Sequence, residues 1–146
     1  MTSWPSFTDA LAGQLAVLPA GAVVILRETR TQSPRYAQFR QLDHVLAGEL
    51  VCDDALTEPL RAGAEGDQVI IAAGWQPPED GLAGNWWLEL PWPATAWRYH
   101  EVAAMVVTGL RDGYGVREPD ELSYRAWDES AGNRPLDLPL LGLPRA

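Results

Sequence analysis

The chain has 146 residues, 20 of them acidic and 11 of them basic, which gives a net charge of −9 at pH 7. This length predicts one domain with its own hydrophobic core, and a single cysteine excludes an internal disulfide. The acidic charge balance argues against nucleic-acid or anionic-membrane binding, because both need clustered cations.

All 11 basic residues are arginine, which is typical of bacterial genes rich in G and C. The first residues show no basic segment followed by an apolar one, so no secretory signal is visible. The apolar runs are far shorter than the roughly 20 residues that cross a bilayer. We therefore expect a cytoplasmic protein.

The first third of the chain predicts a helix followed by three strands. From Trp4 to Leu18 apolar residues recur three or four positions apart, which is the pattern of one apolar helix face, and Pro19–Gly21 would end the helix. The continuously apolar segment Ala22–Leu26 is typical of an interior strand covered on both faces. Two further strands complete a meander: Arg35–Gln41 and Val45–Cys52.

A short helix and a tryptophan-containing strand are predicted next. Asp67 is placed to cap the helix, and Gly74 is placed to end it. Residues Asn85–Leu90 alternate as a strand, in which successive side chains point to opposite faces. The apolar face of this strand is predicted to carry Trp86, Leu88 and Leu90, and the opposite face Trp87 and Glu89.

The most regular helix is predicted from about Thr95 to Asp112, because its apolar residues share one face. Residues Glu121–Trp127 alternate as a last strand. The tail, residues 133–146, contains three prolines and five leucines, a composition that favours extended, polyproline-like backbone. Because five leucines are too apolar to leave in water, we expect the tail to lie extended on the domain's apolar surface or on a second subunit's.

Together these elements predict an α+β fold, in which helices pack on a curved antiparallel sheet. The order is α-βββ-α-ββ-α-like, plus a final strand and an extended tail, provided that the stretch around Trp75 supplies the extra strand. Residues 1–132 would form a single domain, and residues 133–146 the proline- and leucine-rich tail.

No motif in the sequence identifies a reaction. Neither His44 nor His100 has another histidine or a cysteine at metal-ligand spacing, and glycine-rich phosphate loops and serine-nucleophile elbows are absent. Neighbouring acids on polar loops, such as those at Asp53 and Asp128, are usually only solvated. We expect no metal, no cofactor and no catalytic residue, and an enzyme that uses Asp53 or Asp128 is the least favoured interpretation.

Five of the seven tryptophans lie between Trp75 and Trp97. Tryptophan is large, rigid and half polar, so such a cluster indicates either a packed core or a surface that holds a partner. Trp86 shares the apolar face of its strand and is predicted to be core. Trp87 and Trp92 fit a core position and an exposed interface equally well.

A series of short motifs carries a family resemblance, and their order is more specific than any one of them. They are Trp4-x-x-Phe7, Leu18-Pro19-x-Gly21, Arg35-Tyr36-Ala37-Gln38-Phe39, Leu46-Ala47-Gly48-Glu49-Leu50, Gly74-Trp75-x-Pro77-Pro78, Asn85-Trp86-Trp87, Leu110-Arg111-Asp112-x-Tyr114-Gly115-Val116 and Pro119-x-x-Leu122-x-Tyr124. From Trp4 to Tyr124 the chain resembles the TY-Chap domains of high-GC bacteria, relatives of the type III secretion chaperones and YbjN-like proteins.

This resemblance implies an α-βββ-α-ββ-α fold, no enzymatic activity, and binding of peptides or partner proteins. It also implies a homodimer, since the secretion-chaperone members are small acidic homodimers. The chain departs from related sequences at Asp53, where an asparagine is expected after the third strand. No role is therefore carried over to that loop, and the family offers no agreed catalytic residues.

Our main hypothesis is a non-enzymatic, chaperone-like domain that binds a protein or peptide through the sheet and the region from Trp87 to Trp92. Acidic side chains at the rim would select a basic partner. The candidate partner-binding residues are Trp75, Trp87, Glu89 and Trp92. The alternative is an immunity- or antitoxin-like regulator that caps a basic partner protein.

Overall fold

Three helices and six strands follow one another in the computed structural model, which describes residues 2–29, 34–79 and 84–146. Short 3₁₀ turns connect several of them, and the last helix continues into a π-helical segment, Thr108–Gly113. In chain order the helices and strands are α1 (Trp4–Ala16), β1 (Ala22–Glu28), β2 (Tyr36–Gln41), β3 (Val45–Leu50), α2 (Gly63–Ala73), β4 (Trp86–Pro91), α3 (Ala96–Val107), β5 (Leu122–Asp128) and β6 (Arg134–Pro135).

The strands form one open antiparallel sheet in the order β4-β3-β2-β1-β5-β6. Strands β1 to β3 make the predicted meander, and β4 extends it on one side. The predicted α+β fold with helices on an antiparallel sheet is thereby confirmed. The stretch around Trp75 contributes less than a strand, because only Gln76 pairs with β4, in an isolated bridge to Trp87.

One face of this sheet, the inner face, is almost entirely apolar and lies against the helices. Gly109, in the π-helical segment, shows how closely they pack: a Cβ atom there would lie 2.6 Å from Cδ2 of Leu50. Every second residue of the five main strands points to this face, as the period of a strand requires. Its buried apolar side chains are Ala22, Val24, Leu26, Ala37, Phe39, Leu46, Leu50, Trp86, Leu88, Leu90, Leu122, Tyr124 and Ala126.

The opposite face, the open face, is partly exposed to solvent. The prediction that β1 is an interior strand is confirmed, since β1 lies between β2 and β5, but its second face is only partly covered. Val23 is buried, whereas Ile25 is half-buried. The open face includes Val23, Ile25, Arg27, Tyr36, Gln38, Arg40, Val45, Ala47, Glu49, Trp87, Glu89, Pro91, Ser123, Arg125 and Trp127.

Helix α2 differs from its prediction at its start and agrees at its end. It begins at Gly63, so Asp67 lies inside the helix and does not cap it. Gly74 ends it with φ = +113°, a left-handed conformation that glycine adopts without a steric penalty. The sequence signal at Asp67 was misleading because the start of the helix is capped by the side chain of Asp53, from an earlier loop.

Trp86→Ala is expected to lower the free energy of unfolding by about 3–5 kcal/mol, because it truncates a large core side chain that is only 5% exposed. Chemical denaturation measures the change. Val17→Ala is the control, since that side chain at the end of α1 is 70% exposed and surface substitutions change stability by about 0.5 kcal/mol or less. A loss below about 1 kcal/mol for Trp86→Ala would contradict the role of this indole in the core.

Candidate binding surface

Trp87 stands half-buried on the open face of β4. Its indole Nε1 donates a hydrogen bond to the carbonyl of Pro77 at 3.2 Å. Its backbone exchanges two further hydrogen bonds with Gln76, of 2.9 and 3.1 Å. The ring is therefore held in place from the segment that follows α2, while part of its surface stays accessible.

A groove of about 410 Å³ runs along the open face beside this indole. Val45 and Ala47 of β3 supply apolar surface to the groove, and Trp87 of β4 is the largest side chain that lines it. Carboxylates from three places stand around it: Glu49, Glu79 and Glu89. The groove thus has an apolar floor and an acidic rim.

A second groove of about 290 Å³ lies on the other side of β4, between that strand and α3. Val102 and Met105 of α3 give it an apolar wall, and an exposed ion pair between Arg98 Nη1 and Glu101 Oε1, 3.0 Å apart, stands at its rim. Trp87 and Glu89 line this groove as well as the first. These two residues consequently form the ridge between the grooves.

The four predicted partner-binding residues do not lie on one surface. Glu89 is exposed beside Trp87 on the open face, and Trp92 is half-buried against the core. Trp75 is only 2% exposed, and its Nε1 donates to the carbonyl of Met105 at 3.0 Å. Trp75 therefore supports the region from inside, and its side chain is out of a partner's reach in this conformation.

Several residues of this surface were not identified from the sequence. Gln76 and Pro77 hydrogen-bond to Trp87. They precede it by eleven and ten positions, and no sequence pattern pairs such residues outside a regular hairpin. Val102 and Met105 reach the second groove from α3, where sequence periodicity indicates only that they are apolar. Val45 and Ala47 could have been found, because they alternate with the core residues of β3.

The two carboxylates considered for catalysis make structural hydrogen bonds. Asp53 accepts from the backbone N–H of Ala62 at 2.8 Å and of Gly63 at 3.1 Å, so it caps the start of α2 from ten residues away. Asp128 accepts from the backbone N–H of Ser130 at 2.9 Å. Burial, with the nearby charge of Asp53, raises the pKa of the Asp67 carboxyl inside α2.

Neither histidine lines either groove. His44 is exposed, and Nε2 of His100 lies 3.1 Å from a carboxylate oxygen of Asp9 at the surface. Within the described ranges, no three His, Cys, Asp or Glu side chains gather in a way that could hold a metal ion. No helix in those same ranges has the length and apolar character needed to span a bilayer.

A family model described as "TY-Chap3: T3SS (YopN, CesT) and YbjN peptide-binding chaperone 3" matches residues 1–128 of the chain. The match covers everything from the N-terminus to the end of β5. No curated protein and no solved structure matches the chain significantly.

Asp53→Ala is expected to lower stability by about 1 kcal/mol, since it leaves the first amides of α2 without their acceptor. Thermal unfolding gives the change. Asp54→Ala provides the control, because this neighbouring carboxylate is exposed and its removal should change stability by about 0.5 kcal/mol or less. Equal effects of the two substitutions would mean that Asp53 does not cap the helix.

Proposed function

We propose that this chain, which belongs to the TY-Chap family of peptide-binding chaperones, binds extended peptide segments on its open face. The observation that carries this proposal is the position of Trp87. Its indole is held by Pro77, borders two grooves and lies on the sheet face that the helices leave uncovered. The family implies a non-enzymatic role, which agrees with the structural use of Asp53 and Asp128.

Binding would rest mainly on apolar contact with Trp87. A partly exposed indole above an apolar floor is the usual form of an interface hot spot, because it removes much apolar surface from water at little cost in side-chain freedom. The hydrogen bonds to Gln76 and Pro77 already fix the ring. Less conformational entropy is then lost when a peptide binds.

The charges around the groove favour a basic segment. Glu49, Glu79 and Glu89 stand at the rim, whereas the arginines of the open face lie on β1, β2 and β5. The net charge of −9 adds a general attraction for cationic partners. Rim charges of this kind affect partner choice and association rate more than affinity.

Recognition at this site would use side chains more than backbone hydrogen bonds. The outward backbone groups of Trp87 already pair with Gln76, and Pro91, two residues beyond Glu89, has no N–H to donate. The outer edge of β4 therefore offers few backbone partners for an added strand. The family match gives no support to the alternative of a regulator that caps a basic partner protein.

We further propose that the protein is a cytoplasmic homodimer. Ile71 on α2 and Trp97 on α3 are large apolar side chains that are 47% and 67% exposed. A subunit contact through the helices would cover them and would leave the open face free for a peptide. One free cysteine, Cys52, is compatible with a reducing compartment.

Dodecapeptides selected from a random phage library on the wild-type protein should combine apolar residues with lysine or arginine. Trp87→Ala is expected to weaken their binding by a factor of about 10 or more, the scale of a lost hot spot. Glu89→Gln should weaken binding less and should reduce its dependence on salt. Isothermal titration calorimetry measures both effects.

Trp97→Ala is the control for this experiment, since it removes an exposed indole from a helix. Its affinity for the selected peptides should equal that of the wild type. If Trp87→Ala binds them as tightly as Trp97→Ala does, the open face around Trp87 is not the peptide site.

Sedimentation equilibrium should give the mass of a dimer for the wild-type protein and that of a monomer for Trp97→Asp, because a charge at this position would have to be buried in the contact. Peptide binding should persist in the monomeric variant. A monomeric wild-type protein would contradict the dimer, while the test of Trp87 decides the peptide site separately.

A further inference from the structure

The tail runs along the outer edge of β5 and leaves it only in the middle of its course. Residues Arg134–Pro135 pair with the end of β5 as β6, and the N–H of Leu136 donates to the carbonyl of Ala126 at 3.0 Å. The last residues then return to the same strand. Tyr124 donates its N–H to Pro144 at 3.0 Å and accepts from Ala146 at 2.8 Å. The tail thus meets this edge twice in the manner of an added strand.

Two leucines anchor the tail between these contacts. Leu138 is 4% exposed and Leu141 is 1% exposed, and the turn that contains Leu141 packs on α1. Leu140, between them, is 59% exposed. Leu136 and Leu143 are half-buried against the core, and the other tail residues are exposed. Leu138 and Leu141, three positions apart, are therefore the two fully buried apolar anchors.

Two buried polar side chains of the domain bind the backbone of the tail. The hydroxyl of Tyr124 accepts from the N–H of Leu138 at 3.2 Å, and Oε1 of Gln14 on α1 accepts from the N–H of Leu140 at 2.8 Å. Each of these two side chains belongs to a residue that is 5% exposed. Because they recognise backbone groups, they would serve any extended segment that follows the same path.

The tail lies beyond the residues that match the family model. The family match ends at residue 128, and the chain reverses direction just beyond it, at Gly132 and Asn133, whose φ angles are +67° and +62°. A cavity of about 440 Å³ remains at the β5 edge between the two arms of the tail, lined by Trp127, Pro135 and Arg145 among others. Across this cavity the arms are joined by one exposed side chain, since Arg145 donates to the carbonyl of Leu136 at 3.1 Å and pairs with the carboxylate of Asp137.

We propose that the outer edge of β5 and the adjoining side of α1 form a second peptide-binding site, and that the tail is its built-in occupant. The site accepts an extended segment with two leucines three positions apart. The leucines fill the places of Leu138 and Leu141, and backbone groups bind Tyr124 and Gln14. A partner segment must displace the tail, which competes at the millimolar effective concentration of a short tether. This site is separate from the open face, and the proposal does not depend on peptide binding there.

The test uses the full chain and a fluorescent synthetic peptide with the sequence of residues 133–146. In the variant Leu138→Asp/Leu141→Asp the tail loses both anchors, and the peptide should bind at least about tenfold more tightly than to the wild type, by fluorescence anisotropy. Leu140→Asp is the control, because that side chain is exposed; it should bind the peptide as the wild type does.

Two further variants examine the backbone contacts. Adding Gln14→Ala or Tyr124→Phe to the doubly substituted chain should weaken peptide binding severalfold while its circular dichroism stays the same, since each removes one acceptor. A peptide that carries Leu138→Asp and Leu141→Asp should not bind. Equal binding of the peptide to the wild-type and folded doubly substituted chains, or binding to neither, overturns the proposal.

If the doubly substituted chain does not fold, a protease site inserted between Gly132 and Asn133 replaces it. The wild-type chain is cut after folding and mixed with excess labelled peptide. Exchange of the cut tail for the labelled peptide, seen by native mass spectrometry, supports a displaceable occupant. A tail that stays bound without exchange is a permanent part of the fold and contradicts the proposal.

Discussion

The helices cover only one face of the sheet, and this one-sided burial determines most of what the molecule can do. Strand side chains alternate between faces, so the residues next to core positions are placed on the opposite surface. Trp86 and Trp87 are neighbours in β4, yet the first packs under the helices and the second stands on the open face. A half-buried tryptophan on the uncovered face thus lies directly beside the core.

The two edges of the sheet are blocked from pairing in different ways. An exposed edge invites pairing with other chains, and proteins usually block it. On the β4 side, the backbone groups of Trp87 hydrogen-bond to Gln76, and Pro91 has no N–H to donate. On the β5 side, the chain's own tail supplies the missing strand partner. The blocked edge beside the half-buried Trp87 leaves side chains as the main contacts on one side. The edge covered by the tail is the one that we propose a partner segment opens.

Regular periodicity made much of the fold predictable. The apolar repeat of α1, the alternation of β4 and the stop at Gly74 all stand where the sequence places them. The predictions that failed depend on partners distant in sequence. Helix α2 starts before Asp67 because Asp53 caps it from another loop.

The candidate site was harder to predict, for the same reason. The burial of Trp75 depends on the helix that supplies the carbonyl of Met105. The course of the tail depends on Tyr124 and Gln14, which the sequence alone does not connect with it. Strand alternation predicted the face of β4 that holds Trp87. The grooves on either side of this residue were not predictable, because they depend on how β3 and α3 pack beside β4.

The indole N–H signals of ¹⁵N-labelled protein test most directly whether a peptide binds at Trp87, because each of the seven tryptophans gives its own signal. Trp87→Phe assigns the signal of Trp87. When a selected peptide is titrated in, the signal of Trp87 should shift with the binding curve. The signals of the buried Trp75 and of Trp97, which lines neither groove, should stay in place. Saturation of the protein with peptide while the Trp87 signal remains unchanged would contradict binding on the open face.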